Sequence, residues 1–319
     1  MCWANAVPGN KNRNLIYEDN STKFCHRIAI RVNQRKQWEV PVAKFEPIPP
    51  AAYAELYYRY SYLIASTAGF TSRHAVAIRC IVLASFTGSR LGEYGQSKTP
   101  KTSTVARVPP SPCARECAGS PTAFMHGDLT FWDKADVEIP PTSPSLPSAF
   151  RLKVRFRFDK GPNNWEYRTW RRTMHPFFCP IRAAADLCRG AQMLQMPASD
   201  PLAAYSTAGH TKLQFIVGDD IQETLRDAVT GAFPDEDHRV HSVLNKFSAH
   251  SLRVTPAMAL LARGFTPDVV AFILRWNSDA IKRYMRDPRL TTHPLFLNIA
   301  LACELISEKE FHKMTDEAK

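Results

Sequence analysis

The sequence predicts an α+β fold, mainly α, with a small antiparallel sheet against a helical bundle. Three features point there: long stretches of apolar residues at helical spacing before residue 97 and after residue 178, a single pair of strands with strict two-residue alternation between them, and the absence of any internal repeat. A chain of 319 residues with 45% hydrophobic content is long enough to close one large core.

Residues 1–50 are polar and patchy and end in "VAKFEPIPP", so they are expected to be a poorly structured N-terminal segment or the remnant of a separate helical module. The main domain is assigned to 51–319. It opens with "AAYAELYYRYSYLIAS", aromatic at near-helical spacing, and continues in "TSRHAVAIRCIVLASF", where Ile78, Ile81, Val82 and Phe86 make one apolar stripe. Thr87 and Gly88 stop that helix, since glycine takes the left-handed conformation without steric cost, and Ser89 is the expected N-cap of the next.

Nine prolines fall in 97–150 among Ser and Thr clusters, which reads as a long surface insertion, with short strands in "AFMHGDLTFWD" and "VEI". In "RLKVRFRFDKGPNNWEYRTWRR", Arg151, Lys153, Arg155 and Arg157 alternate with Leu152, Val154, Phe156 and Phe158. That period of two predicts a strand with an apolar underside and a cationic top, "KGPNN" turning it into an antiparallel partner that carries Arg168. The remainder reads as helical: "CPIRAAADLCRGAQML" with Pro180 in its first turn, "HSLRVTPAMALLARG" ending at Gly264, "TPDVVAFILRW" capped by Thr266, "NSDAIKRYMR", and a last amphipathic piece over 294–312.

The net charge of +11 calls for an acidic partner. No apolar run approaches the ~20 residues of a membrane span, so no membrane partner is expected and nucleic acid leads. The start "MCWANAVPGNKNRN" lacks an apolar secretory core, and the eight scattered cysteines suggest no disulfide framework; both fit an intracellular protein. Cys113, Cys117 and His126 are too loosely spaced for a zinc site, and neither a metal nor another cofactor is expected.

The stretch "RWNSDAIKRYMR" gathers Arg275, Lys282, Arg283 and Arg286 around Tyr284. A solvated basic helix face is the plain reading, and a phenol aimed at a phosphate is the chemical one. Breaking a phosphodiester with a protein nucleophile requires fixed cations on the non-bridging oxygens, a group to protonate the leaving oxygen, and alignment of both with the scissile bond. Arg90 and Arg253 supply guanidinium forks for the oxygens, with Glu93 three residues beyond Arg90 to orient it. His250 and Arg253 are spaced by three and share a face if that stretch is helical, Trp276 offers an indole N–H, and Lys160 at the hairpin tip is the candidate acid, with Lys153 as runner-up.

These residues resemble the tyrosine recombinases, also called phage integrases. "FTGSRLGEY" is similar to the family's first arginine box, matching Arg90 and Glu93. "AHSLRVTPAMALLARGFTPDVVAFILRWNSDAIKRYMR" is similar to the second, matching His250, Arg253, Trp276 and Tyr284 in order. The Trp form of that position resembles recombinases of eukaryotic mobile elements of the Crypton and DIRS-like kinds. The resemblance implies an integrase-like catalytic domain that clamps double-stranded DNA and performs DNA recombination or integration through a 3′-phosphotyrosyl intermediate. It also implies self-association, dimer to tetramer, on DNA, and residence in the nucleus if the source is eukaryotic. Arg90, Lys160, His250, Arg253, Trp276 and Tyr284 are then catalytic, Glu93 supports them, and Arg151, Lys153, Arg155, Arg157, Arg168, Arg275, Lys282 and Arg283 contact DNA.

Three departures bear on activity. Pro256 follows Arg253 by three residues, so either the helix begins at Thr255 and Pro256 or it kinks. The N-terminal region is short for the family, and the insertion blurs the register of the early strands. The alternatives are a decayed or domesticated recombinase that only binds DNA, and a type IB topoisomerase-like activity.

Overall fold

The computed structural model describes residues 46–65, 69–95, 123–157, 166–198, 200–206, 213–233, 244, 246–276 and 293–303. The chain divides into Met1–Lys44 and Phe45–Lys319, and every described residue lies in the second unit. Within the second unit the Glu46 N–H donates to the Lys246 carbonyl and the Ile48 N–H donates to Thr255 Oγ1 at 2.9 Å.

The first helix, α1 (Pro50–Ile64), starts on a proline whose missing N–H would have had no intrahelical partner anyway. Next, α2 (Arg73–Thr87) is capped by the Ser72 hydroxyl, which accepts from the Ala75 N–H. Its residues Ala75 to Thr87 are buried on every side, so the expected single stripe is instead a central helix. Around it pack α1, α4 (Pro180–Met193), α5 (Gly218–Ala232) and α6 (Ser251–Ala262). Arg79, buried in α2, joins three of these helices: its Nη2 lies 2.6 Å from Asp186 Oδ2 in α4, and its guanidinium lies 3.6 Å over the Tyr60 ring of α1.

Gly88 ends α2 at φ 57°, as expected. The short α3 (Leu91–Tyr94) then begins with Arg90 as its N-cap rather than Ser89, whose hydroxyl is spent on Thr87 Oγ1 at 2.6 Å.

The sheet has the order β2-β1-β3-β4, all antiparallel, from β1 (Leu129–Trp132), β2 (Glu138–Ile139), β3 (Arg151–Phe156) and β4 (Glu166–Arg171). Much of 123–150, expected as surface insertion, is therefore structural: Phe131, Ile139, Leu146 and Ala149 are core residues. Leu152, Val154 and Phe156 turn inward while Arg151, Lys153 and Arg155 stay half-exposed, which is the predicted alternation. A two-stranded ribbon of β5 (Ala204–Tyr205) and β6 (Gln214–Phe215) interrupts the region expected to be wholly helical.

The last described elements are α7 (Pro267–Leu274), which follows a Thr266 cap, and α8 (Pro294–Ala302), which packs on α6. Beyond α8, Cys303 makes a β-bridge to Trp170 in the edge strand β4. α6 begins at Ser251 and runs through Pro256, so of the two expected outcomes the start at Thr255 is excluded. Thr255 Oγ1 donates to the Ser251 carbonyl at 2.9 Å, while it accepts from Ile48, tying the proline-bearing turn to the start of the unit. Among the described residues no helix is long and apolar enough to cross a membrane.

Candidate functional site

The end of α2, the start of α6 and the end of α7 converge on one another. Arg253 lies in the first turn of α6, where its half-buried guanidinium donates through Nη1 to the Gly88 carbonyl at 3.1 Å, across 165 positions of sequence. The guanidinium carbon sits 4.7 Å from the centre of the Trp276 ring, within cation–π range. His250 is the N-cap residue of the same helix, and its carbonyl accepts from the Arg253 N–H at 3.0 Å. Arg90 stands two residues past Gly88, half-exposed, at the head of α3.

Gly88 makes this approach possible. It takes the left-handed conformation, and a Cβ built there would come 2.9 Å from Leu274 Cδ2. The α2 stop and the α7 end can thus lie side by side, which brings the turn bearing Arg90 to the turn bearing Trp276.

Glu93 is 3% exposed and does two jobs. Its Oε2 accepts from the backbone N–H of Arg90 at 2.7 Å, closing the first turn of α3. Both of its carboxylate oxygens also accept from Arg275 Nη2, at 2.9 and 3.0 Å. Glu93, expected to orient Arg90, bonds the Arg90 backbone N–H, and the cation that it neutralises is Arg275.

Arg275 itself corrects the sequence reading. Expected on a DNA-facing surface, it is 4% exposed, paired to Glu93, with its guanidinium carbon 3.3 Å from the centre of the Phe156 ring. It is also left-handed, at φ 57°, ψ 44°. The Arg275 N–H donates to Phe272 and the Trp276 N–H to Ala271, the paired bonds of a Schellman stop, with arginine where glycine is usual. For a residue with a Cβ that conformation costs about 1–2 kcal/mol.

Two more expected DNA contacts are turned to structural use. Arg157 is 7% exposed; its Nε lies 2.9 Å from Asp128 Oδ2, and its Nη2 also bonds the Ala123 carbonyl. The cause is that β3 ends at Phe156, so the alternation that would have put Arg157 on the cationic face stops one residue short. Arg168 donates to the Phe272 carbonyl at 2.9 Å, the Tyr167 carbonyl at 2.7 Å and Glu166 Oε2 at 2.8 Å, and lies 4.2 Å over the Phe272 ring. It staples β4 to α7, and its burial lowers its pKa.

Arg151, Lys153 and Arg155 do share the outer sheet face, half-exposed. Arg151 pairs with Asp136 at 2.8 Å, Arg155 with Asp128 at 3.0 Å, and the Lys153 ammonium sits 4.3 Å over Tyr167. Register sets Arg171 directly opposite Arg151, adding a fourth cation that the sequence reading did not name.

A described tyrosine, Tyr94, stands near Arg253. Tyr94 is 3% exposed, and burial, with smaller contributions from Cys80 and Glu93, raises its pKa although Arg253 acts the other way. A phenol so far from ionising is a poor nucleophile. Lys160, Lys282, Arg283 and Tyr284 lie outside the described residues, as do Cys113 and Cys117. Among the described residues no cluster of His, Cys, Asp or Glu suits a metal ion.

The structure therefore unites Arg253, Trp276, Arg275, Glu93 and the Arg90 turn. Asp128 and the structural role of Arg275 escaped sequence reasoning. The available signal for the second was α7 ending in "LRW" with no glycine to stop it. No protein-family model, curated protein or solved structure matches the chain.

Proposed function

We propose that the chain breaks and rejoins DNA strands through a covalent phosphotyrosyl intermediate, in the manner of the tyrosine recombinases it resembles. The observation that carries this reading is the meeting of its two arginine segments: the Gly88–Arg90 turn and the first turn of α6 touch through Arg253 Nη1 and the Gly88 carbonyl, 165 positions apart. Nothing in helix packing requires two half-exposed guanidiniums to be held at adjoining turns, whereas a pentacovalent phosphate requires cations fixed in advance.

In this reading Arg90 and Arg253 bind the non-bridging oxygens, and the Trp276 ring backs the Arg253 guanidinium. The Tyr284 oxygen attacks phosphorus, its proton passing to solvent or to His250. The bond to the 5′ oxygen breaks, and Lys160 gives that oxygen a proton. The product is a 3′-phosphotyrosyl linkage and a free 5′ hydroxyl, and attack by a 5′ hydroxyl reverses the step. The roles of Tyr284 and Lys160 rest on the sequence resemblance alone, as do the assembly on duplex DNA as dimer to tetramer and the nuclear site of action in a eukaryote. Arg151, Lys153 and Arg155, with Arg171 beside them, are the cations proposed to follow the phosphate backbone.

A nicked duplex that sheds its short 5′ fragment traps the covalent species. The native chain should accumulate a protein–DNA adduct on it, and Tyr284→Phe should bind the duplex without forming one. An adduct that survives Tyr284→Phe removes Tyr284 as nucleophile. Salt-sensitive binding with no adduct from the native chain points to the DNA-binding alternative, and relaxation of supercoiled plasmid at low protein concentration points to a topoisomerase.

A further inference from the structure

Position 275 has the backbone of a glycine. Its φ of 57° equals that of Gly88, which ends α2 in the same way. An arginine at a backbone that glycine adopts more cheaply points to a use for its side chain. That side chain lies in a closed ring of direct contacts. Arg275 holds both oxygens of Glu93, and Glu93 holds the backbone N–H of Arg90. Chain connectivity leads from Arg275 to Trp276, the Trp276 ring lies against Arg253, and Arg253 bonds the carbonyl of Gly88, two residues before Arg90. The ring contains one fully buried ion pair, Arg275 with Glu93, which joins its two halves side chain to side chain. With Phe156 against the guanidinium, water is kept from both charges, so the pair is directional as well as strong.

We propose that Arg275 is a positioning residue for Arg90 and Arg253, its buried pair with Glu93 setting the geometry in which the two guanidiniums meet a single DNA phosphate. This rests on the reading of Arg90 and Arg253 as phosphate ligands. Arg275 touches no substrate itself. A shift of about 1 Å in such a cluster lowers a reaction rate on the order of a hundredfold while leaving most binding contacts intact.

A pair that served only stability would be replaceable, because removing both charges together from a buried site is often harmless to folding. The test uses the full chain carrying Glu93→Gln with Arg275→Met, which removes both charges, keeps an acceptor for the Arg90 N–H and retains most of the side-chain length. Two readouts are taken: the rate of adduct formation on the nicked duplex, and the fluorine resonance of Trp276 in chain labelled with 5-fluorotryptophan, assigned by Trp276→Phe. In the native chain, saturating duplex should move the Trp276 resonance. In the double variant that movement should vanish and the adduct rate should fall about a hundredfold, with duplex affinity within about threefold of native. Native adduct rate or a native DNA-induced shift in the double variant overturns the proposal, and so does a native Trp276 resonance indifferent to DNA. If the native chain yields no adduct while the shift appears and is lost as described, the cleavage reading falls and the positioning role stands. Arg275→Lys covers the case of a double variant that does not fold. It keeps the charge but not the fork, and should slow the adduct about tenfold at unchanged affinity; an unslowed Arg275→Lys also overturns the proposal.

Discussion

The Nε of Arg157 lies 2.9 Å from Asp128 Oδ2, and both side chains are closed to water. Arg155, two residues earlier on the strand, reaches the other oxygen of the same carboxylate from the solvent side at 3.0 Å. One aspartate thus separates two arginines that the alternation of the sequence makes equivalent, one as core and one as surface.

That division predicts opposite phenotypes for neighbouring cations. Arg157→Gln takes from Asp128 its buried partner and leaves it to Arg155 and the Met125 N–H, which should cost about 1–3 kcal/mol in urea unfolding. Lys153→Gln, on the open face, should leave stability within about 0.5 kcal/mol and reduce the salt dependence of duplex binding by about one unit in log K against log salt. A salt slope unchanged by Lys153→Gln would take the sheet face out of the DNA interface.

Gly88 is the second place where a small change should be felt at a distance. Gly88→Ala forces a side chain into the left-handed region and sets a Cβ 2.9 Å from Leu274 Cδ2. Stability should fall by about 1–2 kcal/mol from the backbone alone. Because the Gly88 carbonyl is the acceptor for Arg253, adduct formation should fall further than the loss of folded chain explains. Chemical unfolding and single-turnover adduct kinetics on the same preparation separate the two effects.

These contacts show what was legible before any coordinates. The helices α2, α4, α6 and α7 could be read because each carries a local stop or start: Gly88, Pro180, Gly264 and Thr266 act on their own neighbours in sequence. The β3–β4 hairpin could be read because its alternation is local too. Asp128 could not, since nothing near it in sequence shows that Arg157 will be turned inward upon it. Arg275 was read as a surface cation because its partner Glu93 is 182 positions away. The β5–β6 ribbon spans two residues per strand, too short to carry any period. Among site residues, then, sequence identified the guanidiniums of the meeting point, while the carboxylates that restrict some of them to structural work needed the fold.

Buried titratable groups define a pH window for stability. Burial lowers the pKa of His126 and of His175 below the ordinary 6.5. As pH falls below about 6.5 the unfolded chain takes up protons that the folded one resists, so stability is present above that pH and is lost below it. At the other end burial pushes the Cys303 thiol up to about 12 and raises Cys80, Cys188, Tyr53 and Tyr60. Their stabilisation is full below the unfolded thiol value of about 8.5 and declines as pH rises beyond it. Urea midpoints should therefore be flat from about pH 7 to 8.5 and fall on both sides. His126→Leu should flatten the acid limb, and an acid limb unchanged by both His126→Leu and His175→Leu would refute the assignment.

Tyr94 provides the control for the nucleophile. Its hydroxyl is buried, and among the described residues no hydrogen-bond partner meets it. Removing a buried hydroxyl that bonds nothing takes away a desolvation cost and little else, so Tyr94→Phe should be neutral or stabilising by up to about 1 kcal/mol. Burial raises the pKa of Tyr94 although Arg253 acts the other way, so at neutral pH it stays a protonated phenol. Tyr94→Phe should accordingly retain the covalent adduct at the native rate, in contrast to Tyr284→Phe. Peptide mapping of the adduct after nuclease trimming checks this directly: a nucleotide found on Tyr94 would mean that the α3 helix opens during reaction, and that the ring of contacts around Glu93 is broken in the reacting state.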